Sequence, residues 1–232
     1  RVAAHFCGDW QHETDARLSA EIRRIEFETT AGELGALLRE SALIKSVMPA
    51  HNRALRRKAD AGVMTIGDDG RPAFVRAADV DPADVPGAFG PYSSKRAMRA
   101  KLQSLAAEHR LCWTRLGLER RDGPCFARQL RKCEGACVGE EAADAHDARL
   151  IGALAGEAIP AWPWSGPALL REASADQART DVHVVRDWHW IGTARDDGEL
   201  SALVDAPARP TFDLDVCRLL LRLYARQRDA FV

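Results

Sequence analysis

TAGELGALLRESALIKSVMPAHNRALRR, residues 30–57, is the stretch from which the rest of the chain is read. Thr30 followed three residues later by Glu33 fits a capping box, with the Thr hydroxyl on the free N–H groups and the Glu reaching back. A helix to about Val47 follows, and Pro49 ends it. On a helical wheel Leu37, Ile44, Val47 and Ala36 fall around the same face as Glu40. A carboxylate there loses its hydration, so it needs either a basic partner from a neighbouring element or a hard cation such as Mg²⁺ or Mn²⁺. Asn52, just beyond the helix, offers a neutral amide for fixing a phosphate or a water.

Outward from this stretch the period changes repeatedly. IRRIEFET (22–29) alternates apolar and polar residues and predicts a strand with one buried face. VMTI (63–66) and AFVR (73–76) flank GDDGRP and predict a β-hairpin. DPADVPGAFGP (81–91) reads as loop, and Ser93 or Ser94 caps a basic helix running to about His109. Residues 112–139 hold cysteines and little periodicity, and a helix is expected over 140–155. Beyond the Pro/Trp-rich PAWPWSGP (160–167), ALLREA, DVHVVRDW and WIGTAR read as three short strands, with helices near 198–204 and 213–226. Blocks of strand and helix in this order predict an α+β fold.

The 232 residues are 46% hydrophobic and 29% charged, which excludes a disordered or collagen-like chain and leaves room for a real core. No apolar run approaches the roughly 18 residues of a membrane span, and the opening RVAAHFCGDW has no apolar signal core, so a cytoplasmic protein is expected. The net charge of −1 hides an asymmetry: residues 1–137 carry +5 and residues 138–232 carry −6. Basic residues cluster at Arg53, Arg56, Arg57 and Lys58, at Lys95, Arg96, Arg99 and Lys101, and around Arg120, Arg121, Arg128, Arg131 and Lys132. Each cluster alone reads as a solvated helix face; three in one half point modestly toward nucleic acid.

Four of the six cysteines, Cys112, Cys125, Cys133 and Cys137, lie within 26 residues in the spacing C-x12-C-x7-C-x3-C. Without a secretory signal, metal binding is the natural reading. The set lacks the CxxC knuckles of zinc ribbons, and spacing alone leaves zinc and an iron–sulfur cluster equally open. Cys7 and Cys217 read as core residues, as do Trp162, Trp164, Trp188 and Trp190, for which packing is favoured over stacking on unpaired bases. His183 and His189 have no ligand spacing with a partner and read as structural.

Residues 30–57 resemble the second half of the GIY-YIG nuclease domain of the UvrC/Cho excinucleases, which carries LLxEAxLIK, then P-x-Y-N and basic residues; RVAAHF at the start resembles the R-V-x-x-[YH]-F segment of that family. GPCFARQLRKCEGACVG (123–139), preceded by GPYSSKRAMRAKLQSLAAEHRLC, is similar to the cysteine segment of the same family, and AWPWSGP, DVHVVRDWHWIGTAR and FDLDVCRLLLRLYAR resemble the ends of Cho-like proteins. The resemblance implies a partial GIY-YIG domain over 1–59, a hairpin, helix and four-cysteine segment over 60–140, and a Cho-like region over 141–232. It further implies Arg1 as the catalytic arginine, His5 in the place of an active-site Tyr or His, Glu40 as the ligand of one Mg²⁺ or Mn²⁺, and Asn52 as the site asparagine. His51 stands where the family has Tyr. Arg53, Arg56, Arg57 and Lys58 would meet DNA, and the four cysteines would hold a 4Fe-4S cluster, with Zn²⁺ as the alternative.

The implied activity is metal-dependent DNA incision 3′ to a lesion in bacterial nucleotide excision repair, with a UvrB-like damage-recognition protein as partner. The GIY and YIG tyrosines fall outside this sequence, so the chain is expected to be a piece carrying half a site and unable to nick DNA alone. Two other readings stay open: the rear part of a fusion with a DNA polymerase III epsilon-type exonuclease, and a non-catalytic iron–sulfur module that binds DNA or protein.

Overall fold

The computed structural model describes residues 20, 22–49, 59–207 and 209–232. The chain divides into two units, Arg1–Thr30 and Ala31–Val232. In the first, residues 22–29 take no regular structure, and Phe27 is 86% exposed. This corrects the expected strand: alternation of residue types buries a face only where a neighbouring strand takes up the backbone hydrogen bonds, and among the described residues none does.

The second unit holds two antiparallel three-stranded sheets. In the first sheet, β1 (Gly62–Ile66) and β2 (Pro72–Arg76) form the expected hairpin, with Met64 opposite Phe74. The segment read as loop contributes β3 (Phe89–Tyr92), which pairs with the other edge of β1 after a 3-10 turn at Pro82–Asp84. FGPY gave no period-2 signal because it holds both Gly and Pro; long-range pairing decides it. Helix α2 (Lys95–His109) begins at Ser94, whose Oγ accepts from the Ala97 N–H at 3.2 Å. It buries Met98, Leu102, Leu105 and Ala106 on one stripe. The short α3 (Phe126–Gln129) lies in the cysteine segment, and α4 (Ala143–Ala153) adds Leu150 to the core around Met64 and Tyr92.

The second sheet runs β4 (Ala168–Ala173), β5 (Thr180–Arg186), β6 (His189–Ala194), the three strands expected from the sequence. Helices α5 (Asp197–Val204) and α6 (Leu214–Arg226) follow as expected. Leu170, Val185, Trp188, Val216 and Leu220 form its core, joined by Leu38 from the early helix α1 (Glu33–Val47). Trp162, Trp164 and Trp188 pack against one another, Tyr224 and Phe231 with ring centroids 4.6–5.9 Å apart, so these rings serve the core. Cys217 is buried in the same core, which pushes its thiol up to about 12.

Helix α1 departs from the wheel in orientation. Its buried stripe is Gly35, Leu38, Ser41 and Ile44, while Leu37 and Val47 are exposed. The small Gly35 and Ser41 let the helix approach its neighbours on that side, and Leu38 rather than Leu37 enters the core. The capping box also gives way. Gly32 is the N-cap, and the carboxylate of Glu172 on β4 takes the Leu34 and Gly35 N–H groups at 2.9 and 2.7 Å. A Cβ at Gly32 would stand 2.4 Å from Glu172 Oε1, so this approach requires glycine. Buried His183 on β5 meets the same carboxylate at 3.1 Å and Thr193 at 2.8 Å, a structural role as expected. Beside it, Asp181 accepts from the Ala31 N–H and pairs with Arg179. At the far end, Lys45 reaches Asp213 at 2.7 Å and Asp215 at 3.2 Å, fixing α1 to the start of α6.

Replacing Glu172 with Ala leaves two helix N–H groups and His183 without this acceptor, and should cost about 2–3 kcal/mol, a fall of roughly 5–10 °C in thermal midpoint. An unchanged midpoint contradicts the capping role. Burial pushes the Asp181 carboxyl up, but the Arg179 guanidinium and the Ala31 N–H outweigh it and hold it below the usual carboxylate range. Its contribution is therefore present above about pH 4 and lost as pH falls through the lowered value. Asp181→Asn should flatten the acid limb of a stability–pH curve; a limb as steep as that of the parent contradicts this.

Candidate functional site

The four cysteines converge. Cys112 follows α2, whose C-cap residue Arg110 turns the chain through a left-handed conformation. Cys125 is the N-cap of α3, and Cys133 and Cys137 flank a turn at Gly135. All four Sγ atoms lie within 4.8 Å of one another; Cys112, Cys125 and Cys133 are fully buried. Backbone N–H groups point at three of the sulfurs: Arg128 to Cys125 at 3.4 Å, Gly135 to Cys133 at 3.3 Å, and Cys125 to Cys137 at 3.3 Å. Burial pushes the Cys112 thiol up to about 11 and raises Cys133 as well. At Cys125 burial acts the same way, but N–H groups of Arg128 and Trp113 outweigh it and the thiol is lowered.

Four buried sulfurs with N–H donors aimed at them suit a cation that converts thiols to thiolates. One tetrahedral ion about 2.3 Å from each sulfur would set the sulfurs about 3.8 Å apart, close to the observed packing. A four-iron cube carries its cysteine ligands at its outer corners and spreads them more widely. The donor set therefore fits a metal centre, and a single tetrahedral ion is compatible with sulfurs within 4.8 Å of one another.

No motif points to the group that holds Cys112. His146 on α4 is completely buried, and its Nε2 accepts from the Cys112 N–H at 3.0 Å. That leaves the ring proton on Nδ1, facing Asp147 at 3.1 Å. Asp147 pairs with Arg115 at 2.6 Å, and Arg115 also donates to the Asp69 carbonyl in the β1–β2 turn at 3.0 Å. Burial raises the Asp147 carboxyl, yet Arg115 and His146 outweigh it and hold it low. Gly70 closes this junction: its φ is +74°, and a Cβ there would stand 1.8 Å from Asp147 Oδ2.

Of the nuclease residues expected from the sequence, Glu40 is placed. Arg1, His5, Asn52, Arg53, Arg56, Arg57 and Lys58 lie outside the described residues, as do His51 and Cys7. Glu40 is half-buried and faces a groove of about 490 Å³ between α1, α6 and the Gly90–Tyr92 end of β3. The groove also presents Asp215, Glu157, Arg218 and Arg222. Glu157 pairs with Lys101 at 2.8 Å, and Asp215 with Lys45. Glu40 has neither an ion pair nor a hydrogen bond to its side chain among the described residues. Lys45, five residues further along α1, is taken by Asp213 and Asp215 at the start of α6.

No helix among the described residues is long and apolar enough to cross a membrane. Residues 64–156 match the family model of the UvrC/Cho excinuclease middle domain, and residues 167–232 match that of the excinuclease Cho C-terminal domain. The chain is 36% identical over 210 residues to excinuclease cho of Escherichia coli O6:H1, covering 90% of this chain and 70% of that protein. It is equally similar to excinuclease cho of Salmonella typhimurium, with the same coverage. Against UvrABC system protein C of Dechloromonas aromatica it is 33% identical over 148 residues, 62% of this chain and 24% of that one. No solved structure matches. The four converging cysteines fall inside the first model and α6 inside the second, and the chain belongs to the UvrC/Cho excinuclease family.

Proposed function

We propose that the chain acts in a DNA-incising excinuclease of nucleotide excision repair, cutting a phosphodiester 3′ to a lesion with a UvrB-like protein delivering the site. Family membership supports the nuclease class. The observation that carries the site is Glu40: a half-buried carboxylate facing a groove, with no ion pair to its side chain among the described residues. Such a group fits a Mg²⁺ or Mn²⁺ ligand. A Mg²⁺ or Mn²⁺ ion held there by Glu40 would supply charge neutralisation at phosphorus and an acidified water. Glu40 fixes the ion's position from a helix held at both ends. Arg1, as a planar fork of donors, orients the scissile phosphate. Asn52 and His5 position water or phosphate, and Arg53, Arg56, Arg57 and Lys58 hold the flanking strand. The tyrosines that relay the proton in the family are not among these residues.

The cysteine centre is a 4Fe-4S cluster on the family resemblance; the sulfur packing favours a second reading, a single Zn²⁺. In either form the metal pins the segment between α2 and α4, a structural rather than a chemical task, because three of its four sulfurs are sealed from solvent.

Glu40→Gln in the full-length protein should lower Mg²⁺-dependent incision of a lesion-bearing duplex by at least about 10³-fold while DNA binding persists. Incision at the parent rate contradicts the metal-ligand role and favours a non-catalytic binding module. For the cysteine centre, protein purified without oxygen should contain about four irons and acid-labile sulfide with broad visible absorption. One zinc in a colourless protein establishes the second reading; neither metal removes both. Cys112→Ser should lose most of the bound metal and lower the thermal midpoint.

A further inference from the structure

The exposed face of α6 carries Arg218, Arg222 and Arg226 at intervals of four residues, one ladder along one side of the helix. Arg222 borders two adjoining hollows: the groove that holds Glu40, and a second of about 460 Å³ that reaches Arg226 and the first turn of α1. The two share Leu37, Leu219 and Arg222, so they form one trough between α1 and α6. Arg218 donates to the Pro91 carbonyl at 2.9 Å, and Arg222 through Nε to the Arg218 carbonyl at 3.2 Å. Neither these two nor Arg226 meets a carboxylate within ion-pair distance among the described residues. Most acids along the trough are committed elsewhere: Glu172 to the α1 N–H groups, Glu157 to Lys101, Asp215 to Lys45. Glu33 and Glu40 remain.

We propose that this trough is a track for one DNA strand, with Arg218, Arg222 and Arg226 as phosphate ligands that lead the backbone to Glu40. Four helical residues advance about 6 Å, comparable to the spacing of successive phosphates on an extended strand. Guanidinium forks without carboxylates match phosphate oxygens in charge and geometry. The leucines of the trough floor leave little for base-edge recognition, so the track reads backbone rather than sequence. Contact depends on the local field, and along the trough the guanidiniums of Arg218, Arg222 and Arg226 outnumber the uncommitted carboxylates of Glu33 and Glu40. The inference deepens the excinuclease reading, resting on it for the identity of the ligand.

The test is fluorescence anisotropy of a labelled duplex with a central unpaired stretch, bound to the full chain in EDTA across a salt series. Arg222→Ala combined with Arg226→Ala should weaken binding at least about ten-fold at 0.1 M salt and reduce the salt slope by between one and two. Arg222→Lys with Arg226→Lys keeps the charge and should retain the slope. Affinity and slope unchanged in the Ala pair overturn the proposal. The two readings fail separately: normal slopes with incision lost in Glu40→Gln remove the track alone, while a reduced slope with incision intact in Glu40→Gln removes the metal site alone.

Discussion

Everything at the groove beside Glu40 depends on how α1 is held, and two remote carboxylate contacts hold it. Glu172, on a strand 138 residues later, takes the N–H groups that a helix N-terminus leaves free. Asp213 and Asp215 take Lys45 near the other end. Between them Leu38 enters the core of the C-terminal sheet. A helix fixed at both ends and buried along one stripe has one rotation left to it, and that rotation turns Glu40 toward α6. The C-terminal region therefore sets the direction of a carboxylate that lies more than a hundred residues earlier in the chain.

The cysteine segment is organised by the same principle on the other sheet. It has little regular structure, so its backbone is held by sulfurs, turns and a polar chain rather than by a ladder. Cys112, His146, Asp147, Arg115 and the turn carbonyl of Asp69 run without interruption from the cysteine cluster to the hairpin. A buried polar chain of this kind stabilises only when every member is partnered, and Gly70 is the position that lets its parts close together. A disturbance at Cys112 would therefore reach the hairpin as well as the cysteine loop.

Local chemistry was legible in the sequence and remote chemistry was not. VMTI, GDDGRP and AFVR specify a hairpin because strand period and turn residues are contiguous; Ser94 specifies a helix start for the same reason. The four cysteines announced themselves by type and number. Thr30 and Glu33 offered a local cap, yet Glu172 supplies the one that forms, and no reading of the first 60 residues contains it. The wheel placed Glu40 near apolar neighbours but chose Leu37 over Leu38, because small Gly35 and Ser41 define the packed side in ways a hydropathy pattern undervalues. His146 lacks ligand spacing, and its role through a backbone N–H leaves no trace in a motif. The arginine ladder of α6 reads as an ordinary solvated face until α1 is laid beside it.

The most direct measurement is a crystal structure of the full-length protein soaked in Mn²⁺, with anomalous scattering used to locate the ion. The expected result is a peak beside the Glu40 carboxylate, inside the groove between α1 and α6. A groove without that peak, and Glu40 joined to an arginine or lysine in its place, would contradict the account.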